Sequence, residues 1–539
     1  MVRLTIAVAL GLLLALVPGR GGPAADLPQL RQAGTATQLF VDGRTWVMLA
    51  GELHNSTSSS LDYLQPVWPR LQALNLNTVI ASLSWELVEP GEGRFDFTLV
   101  DGIIKAAREH DLKLVFIWFA TWKNGNAAYA PAWVKTDWQR FPRCHHRPGE
   151  NTTQLTAFAA ANAAADAKAF AAVMRHLRDV DGRRHTVVMM QVENESGVMP
   201  TSRDHCPLAE AAFAQPVPAE LMAYLAAHKD TLNPDFKEVW ARTDFRAAGT
   251  WSEVFGASPL ADEVFQAWFV ARYVGSVAAA GKAEYALPMY ANAWLVQSKG
   301  QPPGQYPSGG PVARMLDVWR AAAPAIDLLA PDIYLDDFKA VCAEYTQGGN
   351  ALFIPEAKRD DFAGQRACYA LGHHHALGFA PFGIDALADN HPLRDHYAVL
   401  KSLLPLIVQH QGRDTLCGFL QGRGEKQAEF DIGDFRAEIE YRGDAGQKPG
   451  AGLIIATAPD TFVLTGVNCS LRFGARAGKP GHTSWLAIDE GAFRDGRWVA
   501  GRRLNGDEAP YRVELGPVPR LLTAKVYRFP ARESPAETQ

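Results

Sequence analysis

Eight short apolar runs, at 46–50, 78–82, 113–119, 186–192, 287–291, 326–329, 351–355 and 377–382, alternate with helical stretches along most of the chain. Strands separated by helices pair in parallel through crossovers, and eight such units close into a barrel. Between the first two runs, Leu61, Leu64, Trp68, Leu71 and Leu74 recur every three to four residues and give a helix one apolar face. The Ala-rich stretch 156–180 reads as another helix, directly before the 186–192 run. The fold class is therefore α/β, a (β/α)8 TIM barrel.

A last barrel helix is expected at 391–410. Beyond it the texture changes to short alternating segments broken by glycine, at 430–432, 437–441, 453–456 and 461–464. That is the pattern of an all-β, sandwich-like domain over 411–539, with packing or sugar binding as its role. The catalytic barrel then spans 26–410. The connection 198–285 is longer than a barrel needs and reads as an insertion, either shaping a cleft or serving as a structural excursion.

The N-terminus carries Arg3, an apolar stretch over 4–17 and Pro23-Ala24-Ala25 before Asp26, which reads as a signal peptide over 1–25. The apolar stretch falls short of the ~20 residues that span a bilayer. The expectation is a periplasmic or secreted bacterial protein with no membrane association after cleavage. In an oxidising compartment Cys144, Cys206, Cys342, Cys368, Cys417 and Cys469 can form up to three disulfides, with Cys342 and Cys368 the easiest local pair. Their wide spacing excludes a C-x-x-C zinc site. The net charge of −5, without a basic stripe, points away from nucleic acid and is compatible with a neutral carbohydrate substrate.

The 186–192 run delivers Glu193-Asn194-Glu195 at its C-terminal end, where parallel barrels place their active sites. The 351–355 run ends the same way, in Glu356. Two carboxyl groups on barrel strand tips are what a retaining glycosidase needs, one as nucleophile and one as acid/base. Glu193 alternates to the opposite side of its strand from its neighbours and is the weaker catalytic choice. Tyr334, just past the sixth run, is placed to donate a hydrogen bond to Glu356. Trp85, Trp118, Trp122 and Trp133 gather near strand ends, where indole faces can stack on a sugar, and Trp122 is preferred among them. Asp385 ends the eighth run and borders the pocket. His373-His374-His375 cannot all reach one ion from a helix, so no metal and no cofactor is expected.

Several of these segments resemble glycoside hydrolase family 35 β-galactosidases, which belong to a clan of retaining (β/α)8 glycosidases. They are Gln191-Val192-Glu193-Asn194-Glu195, Gly51-Glu52-Leu53-His54, Leu76-Asn77-Thr78-Val79 with Trp85 and Glu89-Pro90, and Pro131-Ala132-Trp133. Residues 490–498 and 504–508 resemble the C-terminal β domain of a bacterial subgroup. The resemblance implies Glu195 as acid/base, Glu356 as nucleophile, Asn194 as donor to the sugar 2-OH and Glu52 beside the sugar. The chain departs from the pattern at Thr121, where members carry a glutamate that helps recognise galactose hydroxyls, and at Ser196 and Ser82, where they carry tyrosine. The reading is an exported retaining β-galactosidase trimming terminal galactose from plant-type oligosaccharides or polysaccharide side chains. Two alternatives remain: a β-glycosidase of the same clan acting on another glycone, and a non-catalytic sugar-binding barrel.

Overall fold

The computed structural model describes residues 26–530 apart from 126, 127, 480 and 495. The expected signal peptide, 1–25, lies outside the described residues.

All eight apolar runs form strands of one closed parallel barrel: β1 Met48–Glu52, β2 Thr78–Ser84, β3 Lys113–Lys123, β4 Val187–Asn194, β5 Met289–Trp294, β6 Leu328–Ile333, β7 Ile354–Ala357 and β8 Gly378–Pro381. Each strand pairs with its sequence neighbours, and β8 returns to β1. Side chains pointing into the barrel, among them Met48, Ile80, Val115, Ile117, Phe119, Val188, Tyr290 and Phe353, form its inner core. Leu39 and Val41 join that core from a three-stranded antiparallel sheet over residues 29–45, which plugs the N-terminal mouth. This sheet was not apparent in the sequence pattern. With that mouth plugged, the C-terminal one is where a pocket can form.

The connection after β4 holds less insertion than expected. Its last element, the helix Pro259–Glu284, packs along the helix Ala160–Asp181 and is the barrel's own crossover between β4 and β5. Only the short helices before it, from Pro207 to Phe255, are additional.

After the helix Leu393–His410 the chain builds a six-stranded and a four-stranded antiparallel sheet, facing each other as a sandwich. Alternation decides the packing. Leu416, Leu420, Leu453, Ile455, Val463 and Leu521 face the barrel helices and merge with the barrel's outer core, whereas Phe419, Ile454, Phe462, Leu464 and Leu522 face the second sheet. Two glycines set the spacing at the junction. A Cβ on Gly372, in the helix Ala363–His373, would lie 2.7 Å from the Cα of Gly418 on the sheet, so backbone rests on backbone there.

The six cysteines are all free thiols, which corrects the expected disulfides. Cys342 and Cys368 each lie among apolar side chains on separate helices, and burial holds both thiols above their ordinary pKa. Among the described residues no helix is long and apolar enough to cross a membrane.

Candidate active site

The fourth strand leaves the barrel through a sharp backbone change. Glu193 and Glu195 both adopt positive φ, +63° and +46°, with Asn194 between them. Left-handed backbone is uncommon for residues other than glycine, and surrounding contacts must hold it in place. Those contacts are on both sides. The Glu193 carboxylate accepts the backbone N–H groups of Thr121, 3.2 Å, and Trp122, 2.8 Å, behind the strand. The backbone N–H of Glu195 donates to Asn292 Oδ1, 2.9 Å, from β5.

Glu195 therefore faces the lumen, 5% exposed, and its Oε2 accepts from Asn124 Nδ2 at 2.5 Å. Burial, followed by the negative charge of Glu356, pushes its carboxyl up to about 7. Glu356 enters from the end of β7, also buried, and its Oε1 accepts the Tyr334 hydroxyl proton. Burial raises its pKa, opposed by the Lys123 ammonium and by the Tyr334 hydrogen bond. One carboxylate oxygen from each of Glu195, Asp332 and Glu356 lies within 4.8 Å of the others. These three acids are the one group among the described residues with spacing that suits a cation, and the charge of Lys123 acts on the same site.

Asn194 Oδ1 accepts from Gln191 Nε2, 2.9 Å, and Asn292 Nδ2, 3.1 Å, which leaves its own Nδ2 without a partner among the described residues. Glu52, at the tip of β1 and 1% exposed, has both carboxylate oxygens unpartnered there. Its pKa is raised well above the ordinary carboxyl range by burial and by the charge of Glu356. The Tyr290 hydroxyl, Asp332 Oδ1 and Glu356 Oε2 are likewise unpartnered. Buried polar groups are normally satisfied, so this many unmet donors and acceptors at one strand-tip cluster marks a surface made for a polar ligand.

Of the residues expected from the sequence, the structure brings together Glu195, Glu356, Glu52, Asn194 and Tyr334. Three others fall elsewhere. Trp122 is fully buried, edge-on to Tyr273 at 4.8 Å, so its indole packs between strand and helix and has no face for a sugar. Trp85 is also fully buried, donating to Glu89 Oε2 at 2.8 Å and edge-on to Trp133. Asp385 directs its carboxylate to the chain after β1, accepting from the His54 N–H, 3.0 Å, and the Thr57 hydroxyl, 2.7 Å. It shapes the rim and offers no free polar atom towards a ligand.

Sequence reasoning gave no role to Lys123, Asn124, Asn292 and Asp332. Asn292 bridges three of the site's elements, donating to Asp332 Oδ2 at 2.7 Å while holding Asn194 and the backbone of Glu195. A polar residue inside the apolar β5 run was the available signal. Asp332 sits two residues before Tyr334 at the end of β6, buried, with its pKa raised well above the ordinary range by burial and then by Glu356 and Glu195.

Fold and site together define a (β/α)8 barrel with buried carboxyl groups at the C-terminal ends of its fourth and seventh strands. Residues 65–262, which include Glu195, match the profile of family 42 glycoside hydrolases, described as β-galactosidase. The match is thus to family 42 and not to the family 35 that the motifs resemble. Residues 393–516 match a domain of unknown function, DUF5597. A β-galactosidase of Xanthomonas manihotis is 28% identical over 218 residues, which cover 39% of this chain and 33% of that protein. The chain therefore spans about a third of the length of that curated relative. Among solved structures, a cold-adapted β-galactosidase of Rahnella sp. R3 aligns with a TM-score of 0.44 at 15% identity, covering 67% of this chain and 56% of that one. The β-galactosidase of Bacillus circulans sp. alkalophilus aligns with a TM-score of 0.44 at 13% identity, covering 66% and 56%.

Proposed function

We propose that this protein is an exported retaining β-galactosidase that removes terminal β-galactosyl residues from plant-type oligosaccharides or polysaccharide side chains. The observation that carries the reading is the spacing of Glu195 and Glu356, whose nearest oxygens lie within 4.8 Å. Retaining glycosidases hold their carboxyl groups ~5–5.5 Å apart, whereas inverting ones need ~6.5–9.5 Å to admit a water. The galactose preference draws on the matched family, and export draws on the sequence before Asp26.

In the first step Glu195, protonated, gives its proton to the glycosidic oxygen while the Glu356 carboxylate attacks the anomeric carbon. The aglycone leaves as an alcohol and the sugar becomes a glycosyl ester of Glu356. Esterification removes the negative charge that helps hold the Glu195 pKa up, so Glu195 becomes the stronger acid and rests as carboxylate, the form a general base requires. It then takes a proton from water, whose oxygen attacks the same carbon. The sugar is released with its configuration retained and Glu356 is freed. Tyr334 supports the nucleophile throughout the ionised stages by donating to it.

A second reading keeps this mechanism with another glycone, and the burial of Thr121 away from the lumen favours it, because Thr121 holds the place of a galactose-recognising glutamate. The test compares wild type, Glu195→Ala and Glu356→Gly on p-nitrophenyl β-galactoside, with and without azide, following product configuration by NMR. Expected are retention in wild type, β-galactosyl azide from Glu195→Ala, and from Glu356→Gly no turnover without azide and α-galactosyl azide with it. Wild-type silence on the galactoside, with activity on another nitrophenyl glycoside, overturns the glycone but not the mechanism; full activity of Glu356→Gly overturns the mechanism.

A further inference from the structure

The third strand ends in Thr121-Trp122-Lys123, and its pairing with β4 shifts register between Trp118 and Lys123. The shift decides which side chain enters the lumen. Thr121 turns outward, its hydroxyl bonded to Asp166 Oδ2 at 2.9 Å and Tyr273 at 2.7 Å. Trp122 is buried behind the strand. Lys123, paired with Asn194, carries its ammonium 5.3 Å above the ring of Phe119, which belongs to the barrel's inner core, so the charge stands at the lumen side of the strand.

Lys123 is only 6% exposed, and among the described residues its ammonium meets the Phe119 ring but no hydrogen-bond acceptor or ion-pair partner. An enclosed ammonium that rests on an aromatic face keeps its three protons for water or a ligand. The carboxylates of Glu52 on β1, Glu195 on β4 and Glu356 on β7 all feel its charge. Glu52 has two oxygens free to accept, and Lys123 has three protons free to donate. A sugar hydroxyl both donates and accepts, so two neighbouring hydroxyls on one ring complement this acceptor and donor together.

Resting on the β-galactosidase reading, we infer that Lys123 is a specificity-determining residue: its ammonium donates to a hydroxyl of a neutral glycone, with Glu52 accepting from that hydroxyl or its neighbour. Lys123 thereby supplies from two residues further along the strand the recognition that Thr121 does not. A neutral glycone fits because Glu52, Glu195 and Glu356 already share the charge of Lys123, and a sugar carboxylate would have to stand among these acids.

The experiment measures kcat/KM of wild type, Lys123→Met and Lys123→Arg on p-nitrophenyl β-galactoside and its 2-, 3-, 4- and 6-deoxy analogues. Calorimetric binding of galactose and the corresponding deoxygalactoses is measured in parallel, so that a slow variant still reports. One deoxygenation is expected to cost wild type about 10- to 100-fold and to cost Lys123→Met almost nothing further, with Lys123→Arg intermediate. A merely structural lysine lowers all substrates alike, and an identical deoxy profile in wild type and Lys123→Met, in both turnover and binding, overturns the inference. If wild type is silent on the galactoside, the galactose reading fails by itself, and the same comparison on deoxy analogues of the glycoside it does hydrolyse decides the role of Lys123. A uronide hydrolysed faster than any neutral glycoside also overturns the inference.

Discussion

The Oδ1 of Asn292 accepts the backbone N–H of Glu195 at 2.9 Å, so the main chain of the proposed acid is anchored separately from its carboxyl group, which Asn124 meets. Replacing Asn292 with Ala removes that anchor and leaves Asp332 without its donor. Since unsatisfied buried polar groups cost about 1–3 kcal/mol, kcat is expected to fall about 10- to 100-fold with a smaller change in KM. Steady-state kinetics beside a circular dichroism melt separates this from unfolding; an unchanged kcat in a folded variant rejects the anchoring role.

Activity should fall as pH rises through about 7, because the first step needs Glu195 protonated and its carboxyl titrates there. In Glu356→Gln the neighbouring negative charge is gone, so the Glu195 pKa is expected to drop towards the ordinary carboxyl value. Carbon-13 NMR of labelled glutamate follows this directly. A Glu195 titration unmoved by the substitution means that burial alone sets it.

Tyr334→Phe deletes the hydrogen bond that opposes the effect of burial on Glu356. The nucleophile then holds its proton to higher pH, so the acidic limb of kcat/KM should move upward while the alkaline limb stays in place. A loss of about tenfold or more at the optimum is expected for a charge-assisted bond. Movement of the alkaline limb instead would assign Tyr334 to Glu195.

Trp122→Ala tests the core placement of that indole. Truncating a fully buried tryptophan costs about 3–5 kcal/mol of stability. The melting temperature should fall sharply while the KM of the folded fraction stays within a few-fold of wild type. A large rise in KM without a stability loss places the indole against the sugar after all.

Denatured without reductant, the chain is expected to react with thiol reagent at all six cysteines, and reductant should leave the melting curve of the native protein unchanged. Fewer reactive thiols, restored by reduction, would indicate a disulfide in the protein as isolated.

The barrel was legible because strands buried on both faces must be continuously apolar, and each of the eight runs kept that signature. Glu195 and Glu356 were legible because each breaks such a run at its C-terminal end. The three-stranded plug at 29–45 and the hairpin at 143–155 were not, since short mixed sequences such as Arg143–Arg147 carry neither period clearly. The aromatic assignments failed at β3 for a different reason. A shift in register exchanges the two faces of a strand, and the irregularity between Trp118 and Lys123 leaves no mark in composition. The same irregularity hid Lys123, to which the sequence pattern gave no role.

The contact between barrel and sandwich bears on how the gene could be cut. Leu416, Leu453, Ile455 and Val463 complete a wall that the helix Leu393–His410 and its neighbour leave open, and the Gly372–Gly418 approach admits no intervening solvent layer. A stop codon placed after residue 410 would remove those side chains and expose the apolar helix faces they cover, and the shortened polypeptide should collect in inclusion bodies. The sandwich thus forms one side of the barrel's own shell, and the natural module for swapping, fusion or display is the barrel and both sheets together.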